Sequence, residues 1–223
     1  MLIKVCGITG LEQLYELEKI NVSYAGFIFY PPSPRHVTNR GLIAAEVKKA
    51  KVKMYKVGVF VNASYDEIMK QIEAYGLDMI QLHGHETPYT CSKLSGYIEV
   101  IKAFRFVEND HVEWIIKDYY EDADMFMFDT GVPVAKELRE DRTLFGGTGR
   151  KFNWNRLKGL NVQKPFMLSG GISPSDIDLV KDFMKEPVAK DLLVVDINSR
   201  FEISPGIKDI QKIKIFSDAL QEL

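Results

Sequence analysis

The sequence predicts an α/β protein, a single-domain (β/α)8 barrel of the TIM type spanning residues 1–223. Eight short apolar runs alternate with eight stretches of helical periodicity, the rhythm of consecutive β-then-α units. A chain of 223 residues sits low in the range of about 200 to 400 that such barrels occupy. Chemistry-bearing side chains gather just after the apolar runs, where barrels and open α/β sheets place their sites. An open doubly wound sheet is the competing arrangement. No short sequence period points to a solenoid.

The first strand is Leu2-Ile3-Lys4-Val5-Cys6. Alternation puts Leu2, Lys4 and Cys6 on one face and Ile3 and Val5 on the other. Gly7 breaks the run, and Thr9 is expected to cap a helix carrying Leu11, Leu14, Leu17 and Ile20. Residues 24–29 form the second strand. The loop Tyr30-Pro31-Pro32-Ser33-Pro34-Arg35-His36 is too proline-rich for a helix or a central strand. A helix over 38–51 is expected to turn Leu42, Ile43, Ala45, Val47 and Ala50 inward. The third strand is 55–61, followed by a helix capped by Ser64, carrying Ile68, Ile72 and Tyr75, and ended by Gly76.

Residues 78–82 form the fourth strand, His83-Gly84-His85 a loop, and Thr87 or Pro88 to about Leu94 a short helix stopped by Gly96. The fifth strand is 98–104 and its helix 109–120. The sixth strand starts at Met125 and ends at Asp129. The stretch 131–149 is the longest irregular segment, and a loop of that length in a compact domain is usually functional. A brief helix near Asn155 leads to strand seven at 165–168 and a helix over 174–185. Strand eight is 192–197, and the last helix runs 208–220.

Hydrophobic residues at 46% and charged residues at 27% are those of a globular protein with a substantial core. A net charge of -2 offers no general attraction for nucleic acid or an anionic membrane. No apolar run approaches the roughly 20 residues of a membrane helix. Two cysteines do not build a disulfide framework, and no signal segment precedes Leu2, so a cytoplasmic setting is expected.

Cys6 ends the first strand with Lys4 on its face, and a nearby ammonium favours thiolate. The competing reading is an inert buried thiol. Gly146-Gly147-Thr148-Gly149, Ser169-Gly170-Gly171 and Asn198-Ser199 follow strands six to eight, where glycine lets backbone N–H groups close on a phosphate. Asp129 is either a general acid or a loop cap. Arg35, on its stiffened loop, either grips a carboxylate at two points or is solvated. His83 shares a face with Gln81 and either orients a ligand or satisfies the core. Lys4, pointing inward, needs a counter-charge, and Asp196 on the adjoining eighth strand is the expected partner. His83 and His85 lack a third ligand at recognisable spacing, so no metal is expected. Cys91, Met125 and Met127 read as packing.

These residues together resemble the phosphoribosylanthranilate isomerase family of tryptophan biosynthesis, nearly end to end. The resemblance rests on Lys4-Val5-Cys6-Gly7-Ile8-Thr9, Gly26-Phe27-Ile28-Phe29, Ser33-Pro34-Arg35, Val57-Gly58-Val59-Phe60, Gln81-Leu82-His83-Gly84, Asp129-Thr130, Gly146-Gly147-Thr148-Gly149, Leu168-Ser169-Gly170-Gly171-Ile172 and Pro205-Gly206. It implies a small phosphosugar substrate, no cofactor, a monomer or homodimer, and an Amadori rearrangement of N-(5-phosphoribosyl)anthranilate. It further implies Cys6 as general base, Asp129 as general acid and Arg35 as the holder of the anthranilate carboxylate. Phosphate is expected on Gly147, Gly149, Gly170, Gly171 and Ser199. The chain departs from the family's Ser-Ser-Gly-Val-Glu with Asn198-Ser199-Arg200-Phe201-Glu202, losing a flexible glycine and gaining Arg200 as a possible phosphate contact. His36 replaces a common tyrosine. Other phosphosugar barrels, of the ProFAR-isomerase or indole-glycerol-phosphate-synthase kind, and a non-catalytic phosphate-binding barrel are the competing functions.

Overall fold

The computed structural model describes residues 1–106, 110–130 and 153–221. Its strands are β1 (Leu2–Cys6), β2 (Tyr24–Ile28), β3 (Tyr55–Phe60), β4 (Met79–Leu82), β5 (Glu99–Phe106), β6 (Met125–Thr130), β7 (Phe166–Leu168) and β8 (Leu192–Ile197). They pair in parallel and in chain order, and β8 closes on β1, so the open sheet is excluded. The helices α1 (Leu11–Lys19), α2 (Ala44–Lys49), α3 (Tyr65–Tyr75), α4 (Pro88–Ser95), α5 (Val112–Ile116), α6 (Ile177–Phe183) and α7 (Ile210–Gln221) follow strands β1 to β5, β7 and β8. After β6, a short 3-10 helix at Trp154–Leu157 occupies the place expected near Asn155. No described helix is long and apolar enough to cross a membrane.

Period-two alternation divides the core into two layers. Tyr24, Val57, Met79, Ile101, Ala103, Met125, Met127, Met167 and Val194 fill the barrel interior. The opposite strand faces, including Ile3, Val5, Phe126, Phe128 and Phe166, pack against helix residues such as Leu14, Leu17, Val180 and Phe216. Burying an aliphatic or aromatic side chain in such a layer is worth about 1.5–3 kcal/mol. The polar upper end of the interior therefore stands on a rigid, closely packed base.

Several local expectations are corrected. The helix over 38–51 is instead a 3-10 turn, Val37–Arg40, broken by Gly41 at φ 74°, and then the short α2. Ile43 and Ala45 consequently face solvent, whereas Leu42, Val47 and Ala50 are buried. The helix expected over 109–120 is α5 continued by a 3-10 turn at Lys117–Tyr119, and the one over 174–185 is a 3-10 turn at Pro174–Asp176 followed by α6. Thr9 does not cap α1, whose N-cap is Gly10. Its Oγ1 instead donates to the Gly206 carbonyl at 2.6 Å.

That bond anchors an unforeseen hairpin of β9 (Glu202–Ser204) and β10 (Ile207–Lys208). Gly206 turns it at φ 82°. Gln13 clamps the same turn, donating to the Gly206 carbonyl and accepting from the Lys208 amide, each at 3.0 Å. The hairpin is thus fixed to the segment following Cys6.

Candidate active site

Cys6 ends β1 and is 5% exposed. Gly26, its register partner on β2, leaves room for it: a Cβ there would lie 3.0 Å from both the Cys6 Sγ and Cα. Below it, Lys4 is fully buried and its Nζ lies 2.7 Å from Asp196 Oδ1. These two residues are also register partners between β1 and β8. Asp196 uses its other oxygen to accept from Ser169 Oγ at 3.0 Å. One carboxylate therefore ties the lysine beneath the thiol to the turn after β7.

Burial pushes the Lys4 ammonium pKa down, but Asp196 and Cys6 outweigh it and the net direction is up. For Cys6, burial pushes the thiol pKa up, Lys4 and Lys208 pull it down, and Asp196 pushes it up; the net direction is up. Lys4 therefore favours the thiolate without making it the resting form. Cys91 is on the fully buried face of α4, with its pKa pushed up to about 12 by burial, and is packing as expected.

Asp129 enters the mouth from β6, on the same face as Met125 and Met127. Its Oδ2 lies 3.1 Å from His83 Nε2, and His83 Nδ1 lies 2.7 Å from Gln81 Nε2. The loop bearing His83 is held from outside the barrel. Lys102 of β5 donates to the Leu82 and Gly84 carbonyls and to Glu86 Oε2, at 3.2, 2.9 and 2.8 Å. Glu86 Oε1 accepts from the Asn62 and Gly84 amides at 2.8 and 3.1 Å. Burial pushes the Glu86 carboxyl pKa up, but Lys102 and the backbone amides of Asn62 and Glu86 itself carry it below its ordinary value.

Arg35 is 8% exposed and turned toward the hairpin. Its Nε donates to both Glu202 oxygens at 3.0 Å, and its Nη2 to Oε2 at 2.7 Å. Lys208 Nζ adds a 2.7 Å bond to Glu202 Oε1 and donates to Asn198 Oδ1 at 2.9 Å. Burial raises the Glu202 carboxyl pKa, and the two cations outweigh it, so the net direction is down. Gly7, at φ 82°, passes between these groups: a Cβ there would meet Arg35 Cδ at 2.9 Å and Asn198 Oδ1 at 3.1 Å. His36 caps the neighbouring 3-10 turn, accepting from the Thr38 amide.

After β7, Gly170 and Gly171 adopt φ 99° and 70°, conformations in which glycine exposes its amide without Cβ strain. Ser199 and Arg200 form a 3-10 turn after β8 with Phe201, Ser199 partly and Arg200 well exposed. Gly147 and Gly149 lie outside the described residues. Among the described residues, no group of three His, Cys, Asp or Glu side chains is placed to hold a metal ion.

Sequence reasoning passed over Glu202 and Lys208, whose signal was the Pro205-Gly206 turn, and Arg105, which lies opposite Asp129 in the β5–β6 register. Arg105 stands one residue beyond the expected end of strand five, where alternation from Ile101 and Ala103 turns it inward.

A family profile described as N-(5'phosphoribosyl)anthranilate (PRA) isomerase matches residues 3–219. The chain is 36% identical over 218 residues to the N-(5'-phosphoribosyl)anthranilate isomerase of Parabacteroides distasonis, covering 97% of this chain and 91% of that protein. Its fold superposes on the crystal structure of phosphoribosyl anthranilate isomerase from Thermotoga maritima with a TM-score of 0.80 at 28% identity, covering both chains fully. It is also similar, at TM-score 0.76 and 26% identity with full cover of both chains, to a phosphoribosyl anthranilate isomerase in complex with reduced 1-(o-carboxyphenylamino)-1-deoxyribulose 5-phosphate.

Proposed function

The chain belongs to the N-(5'-phosphoribosyl)anthranilate isomerase family, and from that premise we propose how its own residues divide the work. The reaction is the isomerisation of N-(5'-phosphoribosyl)anthranilate in tryptophan biosynthesis, so a ProFAR-isomerase or indole-glycerol-phosphate-synthase activity is set aside. Asp129 protonates the ribose ring oxygen, opening the sugar to a Schiff base. Cys6, as thiolate, removes the proton from C2, and the enolamine tautomerises to the ketone. One acid and one base acting on different atoms of the sugar match the two groups that β1 and β6 bring to one barrel mouth, and this is the observation that carries the reading.

Arg35 holds the anthranilate carboxylate. Its Nε and Nη2 are committed to Glu202, so the ligand meets the Nη1 side of a guanidinium already fixed in place. The phosphate rests against Gly170, Gly171 and Ser199, with Arg200 adding charge. Positioning is their whole contribution. A reducing cytoplasm suits an enzyme whose base is a free thiol.

The test is the loss of anthranilate-type fluorescence when the unstable substrate is generated beside the protein. Cys6→Ser and Asp129→Asn are each expected to lower kcat by about 10²–10⁴-fold. Substrate consumption at wild-type rate by either variant overturns that residue's role. Ligand binding by the wild-type protein without conversion favours the non-catalytic barrel.

A further inference from the structure

Gln81 lies on the inner face of β4 and is 1% exposed. Its Nε2 contacts His83 Nδ1, whereas its Oε1 is buried with no hydrogen-bond partner among the described residues. A buried carbonyl without a donor is unusual and calls for an explanation in function or in state. Turning the terminal amide by half a revolution exchanges its oxygen and nitrogen at almost unchanged shape.

The two amide orientations correspond to two proton counts on the neighbouring pair. With Gln81 N–H donating to Nδ1, the imidazole carries its one proton on Nε2 and donates it to Asp129, which is then a carboxylate. With the amide turned, Oε1 accepts from a protonated Nδ1. The bond between His83 Nε2 and Asp129 Oδ2 then holds a second proton, shared between imidazole and carboxyl. Only this second form has a proton that Asp129 can deliver.

We propose that Gln81 is a positioning residue for the general acid, its amide turning over with each gain and loss of a proton by the His83–Asp129 pair. The proposal rests on Asp129 being that acid. The reactive state needs a protonated carboxyl and a deprotonated thiol, the reverse of the order in which free aspartate (about 3.9) and cysteine (about 8.5) ionise. A group that favours the extra proton on the carboxyl side therefore raises the reactive fraction directly.

Among the described residues, the other charges around the pair offer no acceptor to the imidazole. Arg105, opposite Asp129 in register, interacts electrostatically with Asp129, Glu86 and Tyr30, and a guanidinium only donates. Lys4, Cys6, Asp196 and Lys208 belong to the β1–β8 side of the mouth. The Gln81 amide is the neutral group buried directly against the imidazole, and turning it over brings its carbonyl to Nδ1 as an acceptor. During turnover the proton leaves Asp129 for the ring oxygen and the amide turns to donate to Nδ1; as the enolamine becomes the ketone, its C2 hydroxyl proton returns to the pair and C1 takes the proton held by Cys6, which restores the thiolate.

The experiment follows His83 by imidazole ¹⁵N chemical shifts against pH in the ligand-free protein, alongside the pH dependence of kcat/KM. Gln81→Met is expected to lower the proton affinity of the pair about tenfold, and Gln81→Glu to raise it by at least as much. The carboxyl pair ionises below the thiol, so it sets the acid limb of kcat/KM, and that limb should move in the same direction as the imidazole titration in each variant. An unchanged imidazole titration in folded Gln81→Met overturns the proposal, as does a shifted titration with an unmoved acid limb. If Gln81→Met does not fold, Gln81→Glu, which keeps a hydrogen-bonding group there, decides alone by the same two readouts. Asp129→Asn separates the two levels: full activity in that variant refutes the acid assignment, while the imidazole titration still reports on Gln81.

Discussion

Arg35 and Glu202 are joined through three hydrogen bonds of 2.7–3.0 Å, made by an arginine from the loop after β2 and a glutamate at the start of a hairpin 167 residues later. Glu202 also holds Lys208, so one buried carboxylate balances two cations at the edge of the site. Replacing it by Glu202→Gln keeps the shape and removes the charge. Breaking a buried pair typically costs about 3–5 kcal/mol, because the remaining charge is left uncompensated. Urea denaturation at neutral pH should show a loss of that order, and KM should rise more than kcat falls as Arg35 loses its fixed orientation. Wild-type stability in this variant would mean that water replaces the carboxylate without penalty.

The lysine beneath Cys6 leads to a second expectation. Burial holds the Cys6 thiol above its ordinary range, and Lys4 opposes that shift. In Lys4→Met the thiol pKa should rise further, because the ammonium that opposes burial is gone. The thiol ionises above the carboxyl it works with, so it sets the alkaline limb of kcat/KM; that limb should move to higher pH in the variant while the plateau rate falls. At neutral pH the alkylation rate of the ligand-free protein should drop about tenfold. Cys91 does not interfere, since its pKa is pushed up to about 12. An unchanged alkylation profile removes Lys4 from the account.

The pairing of Lys4 with Asp196 was legible because a closed barrel makes strand eight a neighbour of strand one, and alternation aims both side chains inward. The same alternation placed Gln81 with His83. Long-range polar closure was not legible. Thr9 looks like a helix cap by type, yet its hydroxyl is drawn off by Gly206, a contact that depends on a hairpin almost 200 residues away. Nothing local marks Glu202 and Lys208 as buried, and their burial follows from the pairing of β9 with β10. The helix expected over 38–51 failed for a local reason, the left-handed conformation of Gly41, which periodicity alone does not register.

The last expectation concerns the support of His83 and depends on pH with a definite sign. Glu86 and Lys102 form a buried pair at 2.8 Å that fixes the backbone of the loop after β4. The Glu86 carboxyl is carried below its reference value of 4.5, against burial, chiefly by Lys102. A carboxyl with a depressed folded-state pKa stabilises the fold fully above its unfolded value, and that stabilisation is lost as pH falls through the folded value. Glu86→Gln should therefore be less stable than wild type by about 3 kcal/mol at neutral pH, with the gap narrowing as the pH is taken well below 4.5. Urea midpoints at pH 7 and at successively lower pH measure this directly. A gap that is constant with pH would assign the loss to packing rather than to charge. Because Gly84 is bound by both partners, kcat should fall in the same variant even where the protein is fully folded, as the imidazole loses its alignment with Asp129.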